Sequence, residues 1–206
     1  MHCDPTSKAV PFMTLSGLLR PHLFLVVFSA ACSWFLLYLI LPFLQKNYID
    51  LPNDRSIHRS GTPRGGGVVF VFLTLVACLA YFFITGPSLD VSSRLIYIPL
   101  LATPLALVCF YDDKHSLPVN TRLCLQFPTA LLLIALSPLL PLQPIVILLL
   151  LPLLISMINF INFMDGIDFL VVGCMSFTIL VLSIEFSAPW PLWIFIGSLV
   201  GCLLYT

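Results

Sequence analysis

From Leu23 to Leu44 the chain runs without a single charge. A helix rises about 1.5 Å per residue, so such a run crosses the ~30 Å hydrocarbon core of a bilayer, which needs roughly 20 residues. The pattern returns at Gly67–Thr85, Leu95–Tyr111, Leu123 to about Leu140, Pro144 to about Ile161 and Phe169–Ile184. A last apolar run begins near Trp190 and reaches Thr206 with no polar flank, short for a span. Of the 206 residues 60% are hydrophobic and 9% charged, against roughly 25% charged in ordinary globular chains. Lipid can solvate that much apolar surface; a soluble core of this size cannot hide it. The expected fold is all-α: a polytopic transmembrane helical bundle with about six complete spans plus a seventh cut short. Prolines within the spans (Pro42, Pro99, Pro104, Pro128, Pro152) fit this fold, since neighbours in a membrane bundle can satisfy the carbonyls they free.

Residues 1–22 are mixed and weakly polar and read as an N-terminal extracytoplasmic segment, with 23–206 a partial transmembrane domain. Alternating spans place the loops 45–66, 112–122 and 162–168 on one side. Six of the nine basic residues lie there: Lys46, Arg55, Arg59, Arg64, Lys114 and Arg122. The positive-inside bias makes that side cytoplasmic and puts the N-terminus outside. Asp50, Asp54, Asp112, Asp113, Asp165 and Asp168 share it, leaving Asp4, Asp90 and Glu185 elsewhere. Charges at membrane boundaries are costly unless they pair, bind ions or face water, so this clustering points to chemistry at one membrane surface. Zero net charge gives no sign of a nucleic-acid binder. The seven cysteines include no Cys-x-x-Cys pair and mostly sit in apolar runs, where they read as buried, unpaired thiols.

Three polar constellations interrupt the apolar background. In the first loop His58 precedes Pro63-Arg64-Gly65-Gly66-Gly67 at the start of a helix. Glycines let backbone amides approach an anion, the helix N-terminus favours negative charge, and Arg64 can grip phosphate bidentately. No Gly-Lys-Ser/Thr follows, so this is not a Walker loop. The second opens with Asp112-Asp113 directly after the third span, followed by Lys114 and by Arg122 at the next helix. Adjacent carboxylates repel and sit badly at a helix C-terminus, which calls for a divalent cation or for one carboxylate to act as a proton acceptor. The third is Asn159-x-x-Asn162-x-x-Asp165-Gly166-x-Asp168, four polar residues at steps of three in an apolar stretch. On a helix these form one drifting stripe, and their hard oxygens suit Mg²⁺ as well as a nucleobase or a sugar. The bland alternative is polar glue between membrane helices.

Taken together, Asp50-x-Pro…Arg55…His58…Pro63-Arg64-Gly65-Gly66, Asp112-Asp113…Arg122…Gln126 and the Asn159–Asp168 run resemble the polyprenyl-phosphate N-acetylhexosamine-1-phosphate transferases of glycosyltransferase family 4. The likeness extends from about Leu23 to Thr206. Members of that family begin O-antigen, teichoic-acid and peptidoglycan lipid intermediates in bacteria and dolichol-linked glycans in eukaryotes. The resemblance implies a multi-pass protein of the bacterial inner membrane that moves a sugar-1-phosphate from a cytoplasmic UDP-sugar to undecaprenyl phosphate and releases UMP. It also implies Mg²⁺, or Mn²⁺ in its place, held by Asn162 and Asp113. By the same resemblance Asp112 activates or orients the lipid phosphate with Asp113 in support. His58, Arg64, Lys114, Arg122, Asn159, Asp165 and Asp168 bind substrate, and a homodimer is the analogous assembly.

Phe169 stands where the family usually has glycine after the last aspartate. The family's later cytoplasmic motifs, a Gly-Asp loop with a metal-binding Asp and a basic, often His-rich loop, do not occur before Thr206, so these residues alone are expected to be poorly active. An inactive remnant serving as a membrane scaffold and a cation-coupled transporter fragment are the competing readings. A transporter calls for acids near the midplane and an inverted repeat, whereas here the acids lie at span ends and no internal repeat is visible.

Overall fold

The computed structural model describes residues 15–50, 62–63, 65–87, 90–115, 117–136, 143–164 and 170–205. Seven helices account for most of them: α1 (Leu15–Asn47), α2 (Val68–Thr85), α3 (Val91–His115), α4 (Val119–Leu136), α5 (Pro144–Met164), α6 (Leu170–Glu185) and α7 (Trp190–Tyr205). A two-residue antiparallel ladder, β1 (Ile49–Asp50) with β2 (Thr62–Pro63), closes the neck of the first loop. The architecture is the all-α polytopic bundle expected. Among the described residues five helices are long and apolar enough to cross a membrane, and α6 and α7 are apolar helices of 16 residues. Outward-facing Phe24, Phe83, Leu148, Leu149 and Phe177 are largely exposed, which in lipid is a solvated state rather than a penalty.

Several ends fall elsewhere than hydropathy places them. Helix α1 begins at Leu15, before the apolar run at Leu23. Helix α3 continues to His115, so Asp112 and Asp113 ride in its last turn rather than in the loop after it. Lys114 and His115 share that turn and complement the negative end of the helix, which offsets the two carboxylates. Helix α4 starts at Val119 and ends at Leu136, four residues earlier at each end than the apolar run.

The core of the bundle lies where sequence reading places only a short, unanchored last run. More residues are buried in α7 than in any other described helix, from Pro191 and Trp193 through Gly197 and Ser198 to Gly201 and Cys202. It runs parallel to α1 in constant register: His22 stacks on Trp193 at 4.5 Å, Gly197 meets Val26 and Ser29, Gly201 meets Ala30, and Trp34 faces Tyr205 at 6.3 Å. Ser33 Oγ donates to the Ser198 carbonyl at 2.8 Å. Helices in lipid have no hydrophobic drive to associate, so they depend on van der Waals contact and hydrogen bonds between closely approaching backbones. The Gly197–Gly201 spacing against Ser29, Ala30 and Ser33 supplies that approach. On the other flank of α7, Leu192 joins Cys78 of α2 and Ile96 of α3 in a buried cluster, and Cys202 joins Leu37 and Val69 in another. Among the described residues all six cysteines are free thiols.

Candidate active site

The α3–α4 turn is closed by one carboxylate. Pro118 disfavours a helical conformation at Leu117, and its carbonyl accepts from the amides of Thr121 at 3.0 Å and Arg122 at 3.4 Å, which starts α4. The Leu117 amide, left without a helical partner, donates to Asp112 Oδ1 at 2.5 Å. Asp112 Oδ2 lies 3.3 Å from Arg122 Nη1, and Arg122 Nη2 reaches the Leu117 carbonyl at 3.5 Å. A guanidinium in the first turn of a helix is poorly placed for the helix dipole, and Asp112 compensates it. Asp112 is half-buried in this knot, whereas Asp113, Lys114 and His115 are exposed around it.

The neck of the first loop docks beside the same helix end. Tyr48, just past α1, stacks on Phe110 of α3 at 4.7 Å, and Lys114 Nζ stands 5.4 Å from the centre of the Tyr48 ring, within cation–π range. Gly65 takes φ +88°, and a Cβ there would lie 2.7 Å from Phe110 Cε2. Position 65 therefore favours glycine for two independent reasons, the left-handed backbone and the nearby Phe110 ring. Gly65→Ala is expected to lower stability by about 1–3 kcal/mol through backbone strain alone. Thermal unfolding in micelles checks this, and adding Phe110→Ala should recover only the part due to the clash.

The third constellation joins through α4. Gln126, buried in α4, donates through Nε2 to Asn159 Oδ1 at 3.2 Å and accepts from Asn159 Nδ2 at 2.9 Å. The other Asn159 Nδ2 hydrogen goes to the Ile155 carbonyl at 2.9 Å. Gln126 lies near the start of α4 and Asn159 near the end of α5, so this link sits at the same end of the bundle as the Asp112 knot.

The structure thus places Asp112, Asp113, Lys114, Arg122 and Asn159 toward one end of the bundle, with Asp112 bound to Arg122, Asn159 bound to Gln126, and Tyr48 at the neck of the first loop beside Lys114. His58, Arg64, Asp165 and Asp168 lie outside the described residues, as does the side chain of Asn162. Among the described residues no three His, Cys, Asp or Glu side chains gather as a metal-binding group. Sequence reading gave Tyr48 no part and Gln126 no role. The signal for Gln126 was present: an amide inside an apolar run needs a partner, and Asn159 is the nearest matching amide on the following span.

Carboxylates and cations at one end of a bundle of apolar helices define a multi-pass membrane protein with a polar working face at one membrane boundary. Residues 95–205 match the family model described as Glycosyl transferase family 4, more than half of the chain, and the chain belongs to that family. The match takes in Asp112, Asp113, Arg122, Gln126 and Asn159 and begins after the first loop. No curated protein and no solved structure matches the chain. Membership makes it a membrane transferase of the polyprenyl-phosphate sugar-phosphate kind, working on a lipid-linked substrate.

Proposed function

We propose that the protein transfers an N-acetylhexosamine-1-phosphate from a UDP-sugar to undecaprenyl phosphate, releasing UMP, at the cytoplasmic face of a bacterial inner membrane. The observation that carries this reading is the Asp112–Asp113 pair at the end of α3 with Arg122 bound to Asp112 and Lys114 adjacent. In the reaction an oxygen of the lipid phosphate attacks the β-phosphorus of the UDP-sugar. A new P–O bond forms, the bond to the UMP oxygen breaks, and UMP leaves with the negative charge. Both reactants are anionic, so cations must gather them, and Arg122 and Lys114 supply that attraction. Asp112 orients the lipid phosphate and is the acceptor if that phosphate arrives protonated. Arg122, bound to Asp112 and partly exposed, is assigned to the incoming phosphate. Arg64 follows the pinned Thr62–Pro63 strand and is assigned to phosphate, with His58, Asp165 and Asp168 assigned to substrate.

Hard oxygen donors fit Mg²⁺. The donors assigned to the metal are Asp113, beside Asp112 in the last turn of α3, and Asn162 near the end of α5. A bound Mg²⁺ would offset charge on the diphosphate. The test uses the protein encoded by the complete reading frame, purified in micelles with a UDP-sugar and polyprenyl phosphate. UMP release is expected only when both substrates are present, with loss on chelation and recovery on adding Mg²⁺. Release that ignores the lipid phosphate would defeat the reading.

A further inference from the structure

Asn159 has no N–H left to offer a substrate. One of its amide hydrogens goes to Gln126 and the other to Ile155, and its oxygen accepts from Gln126. That commitment leaves only the second lone pair of its Oδ1 for a ligand. It also raises the question of what the pair with Gln126 achieves.

Helix α5 packs sparsely: no residue of its Pro144–Ile161 span is buried. In a helix held by so little packing, one matched polar link fixes its height and rotation. The link is reciprocal, so it closes in a single register. Sliding α5 by one turn, about 5.4 Å, breaks both bonds and leaves the Gln126 amide buried without its partner. Buried amides act as register keys in this way in coiled coils. Along α4, Gln126 lies one turn beyond Arg122, which is tied through Asp112 to the end of α3. Along α5, Asn162 follows Asn159 by three residues. Polar links therefore connect α3 to α4 and α4 to α5 at the charged end.

We propose that Gln126 is a positioning residue: with Asn159 it forms an amide lock that sets α5 against α4, and so places the Asn162 end of α5 relative to Asp112, Asp113 and Arg122. The part of this that concerns turnover rests on the transferase reading above.

The test measures unfolding midpoints and steady-state kinetics, on the protein of the complete reading frame, for Gln126→Leu, Asn159→Leu, the double variant and the exchanged pair Gln126→Asn/Asn159→Gln. Each leucine variant is expected to lower kcat about a hundredfold, with KM for the UDP-sugar changed by less than about threefold. The double variant should be no worse than either single one, and the exchanged pair should recover most of the turnover. Asn159→Leu raising KM while Gln126→Leu leaves turnover intact would make Asn159 a substrate ligand and overturn the inference. So would leucine variants that lose stability but keep kcat. If the wild-type protein releases no UMP, the transferase reading fails by itself, and the unfolding midpoints decide the lock. The losses of Gln126→Leu and Asn159→Leu should not add, the double variant falling no further than the worse single one. Additive losses overturn the inference.

Discussion

Gly201→Leu is expected to unseat α7 from α1 and leave no stably folded protein, with Gly197→Leu behaving alike. A Cβ on Gly201 would stand 2.9 Å from Ala30 Cα, and one on Gly197 would stand 2.8 Å from Val26 Cα. Around Gly201 the obstacles are backbone atoms of Ala30, which cannot swing aside; around Gly197 they are the Val26 backbone and the Ser29 hydroxyl. Alanine at either position is expected to cost about 1–3 kcal/mol, the usual penalty of overpacking, and leucine considerably more. Gly173 in α6 is the internal control, because nothing lies within 4 Å of a Cβ built there. Gly173→Ala should be neutral or gain up to about 1 kcal/mol from helix propensity. Unfolding midpoints in micelles separate the two classes. Equal tolerance at 173 and 201 would mean that α1 and α7 do not approach as described.

Asp112→Asn carries the second large effect, and it should fall on turnover rather than on folding. The amide oxygen of Asn can still accept from Leu117, so the α3–α4 turn survives. What disappears is the ion pair with Arg122, which is partly exposed and worth only about 0–1 kcal/mol. Turnover is expected to fall by about 10²–10⁴-fold, the range for losing a positioned acid–base group. Full UMP release by the folded Asp112→Asn protein would remove Asp112 from the reaction. Arg122→Gln should weaken binding of the anionic substrates more than it slows the chemical step, and KM reads that difference.

Much of the fold is legible in the sequence because a bilayer imposes one strong rule, about 20 apolar residues per crossing. Hydropathy fails where a helix outruns the apolar core, as α3 does through Asp112, Asp113, Lys114 and His115. Charged residues at a span end can be helical and still reach water, so the apolar run marks the membrane boundary rather than the helix end. Length alone also undervalues α7. Its importance lies in a pairing of small residues across the chain, Gly197 and Gly201 with Ser29, Ala30 and Ser33, and that match is visible only when two distant segments are compared. At the site, the Asp112–Asp113 pair stood out by composition. Its actual partner, Arg122, follows from the Pro118 turn that folds α4 back, which charge clustering does not encode. Asn159 was legible as a polar residue in an apolar stripe, but its pairing with Gln126 depends on the relative height of two helices. The placements of His58, Arg64, Asp165 and Asp168 fall outside the described residues.

The central claim is that phosphorus travels with the sugar. The most direct measurement gives the protein of the complete reading frame a UDP-sugar labelled at the β-phosphorus, with polyprenyl phosphate and Mg²⁺. Label recovered in the lipid, with unlabelled UMP in the aqueous phase, is the predicted result. Label retained in the water-soluble nucleotide while the sugar reaches the lipid would show transfer of the sugar alone and would contradict the account.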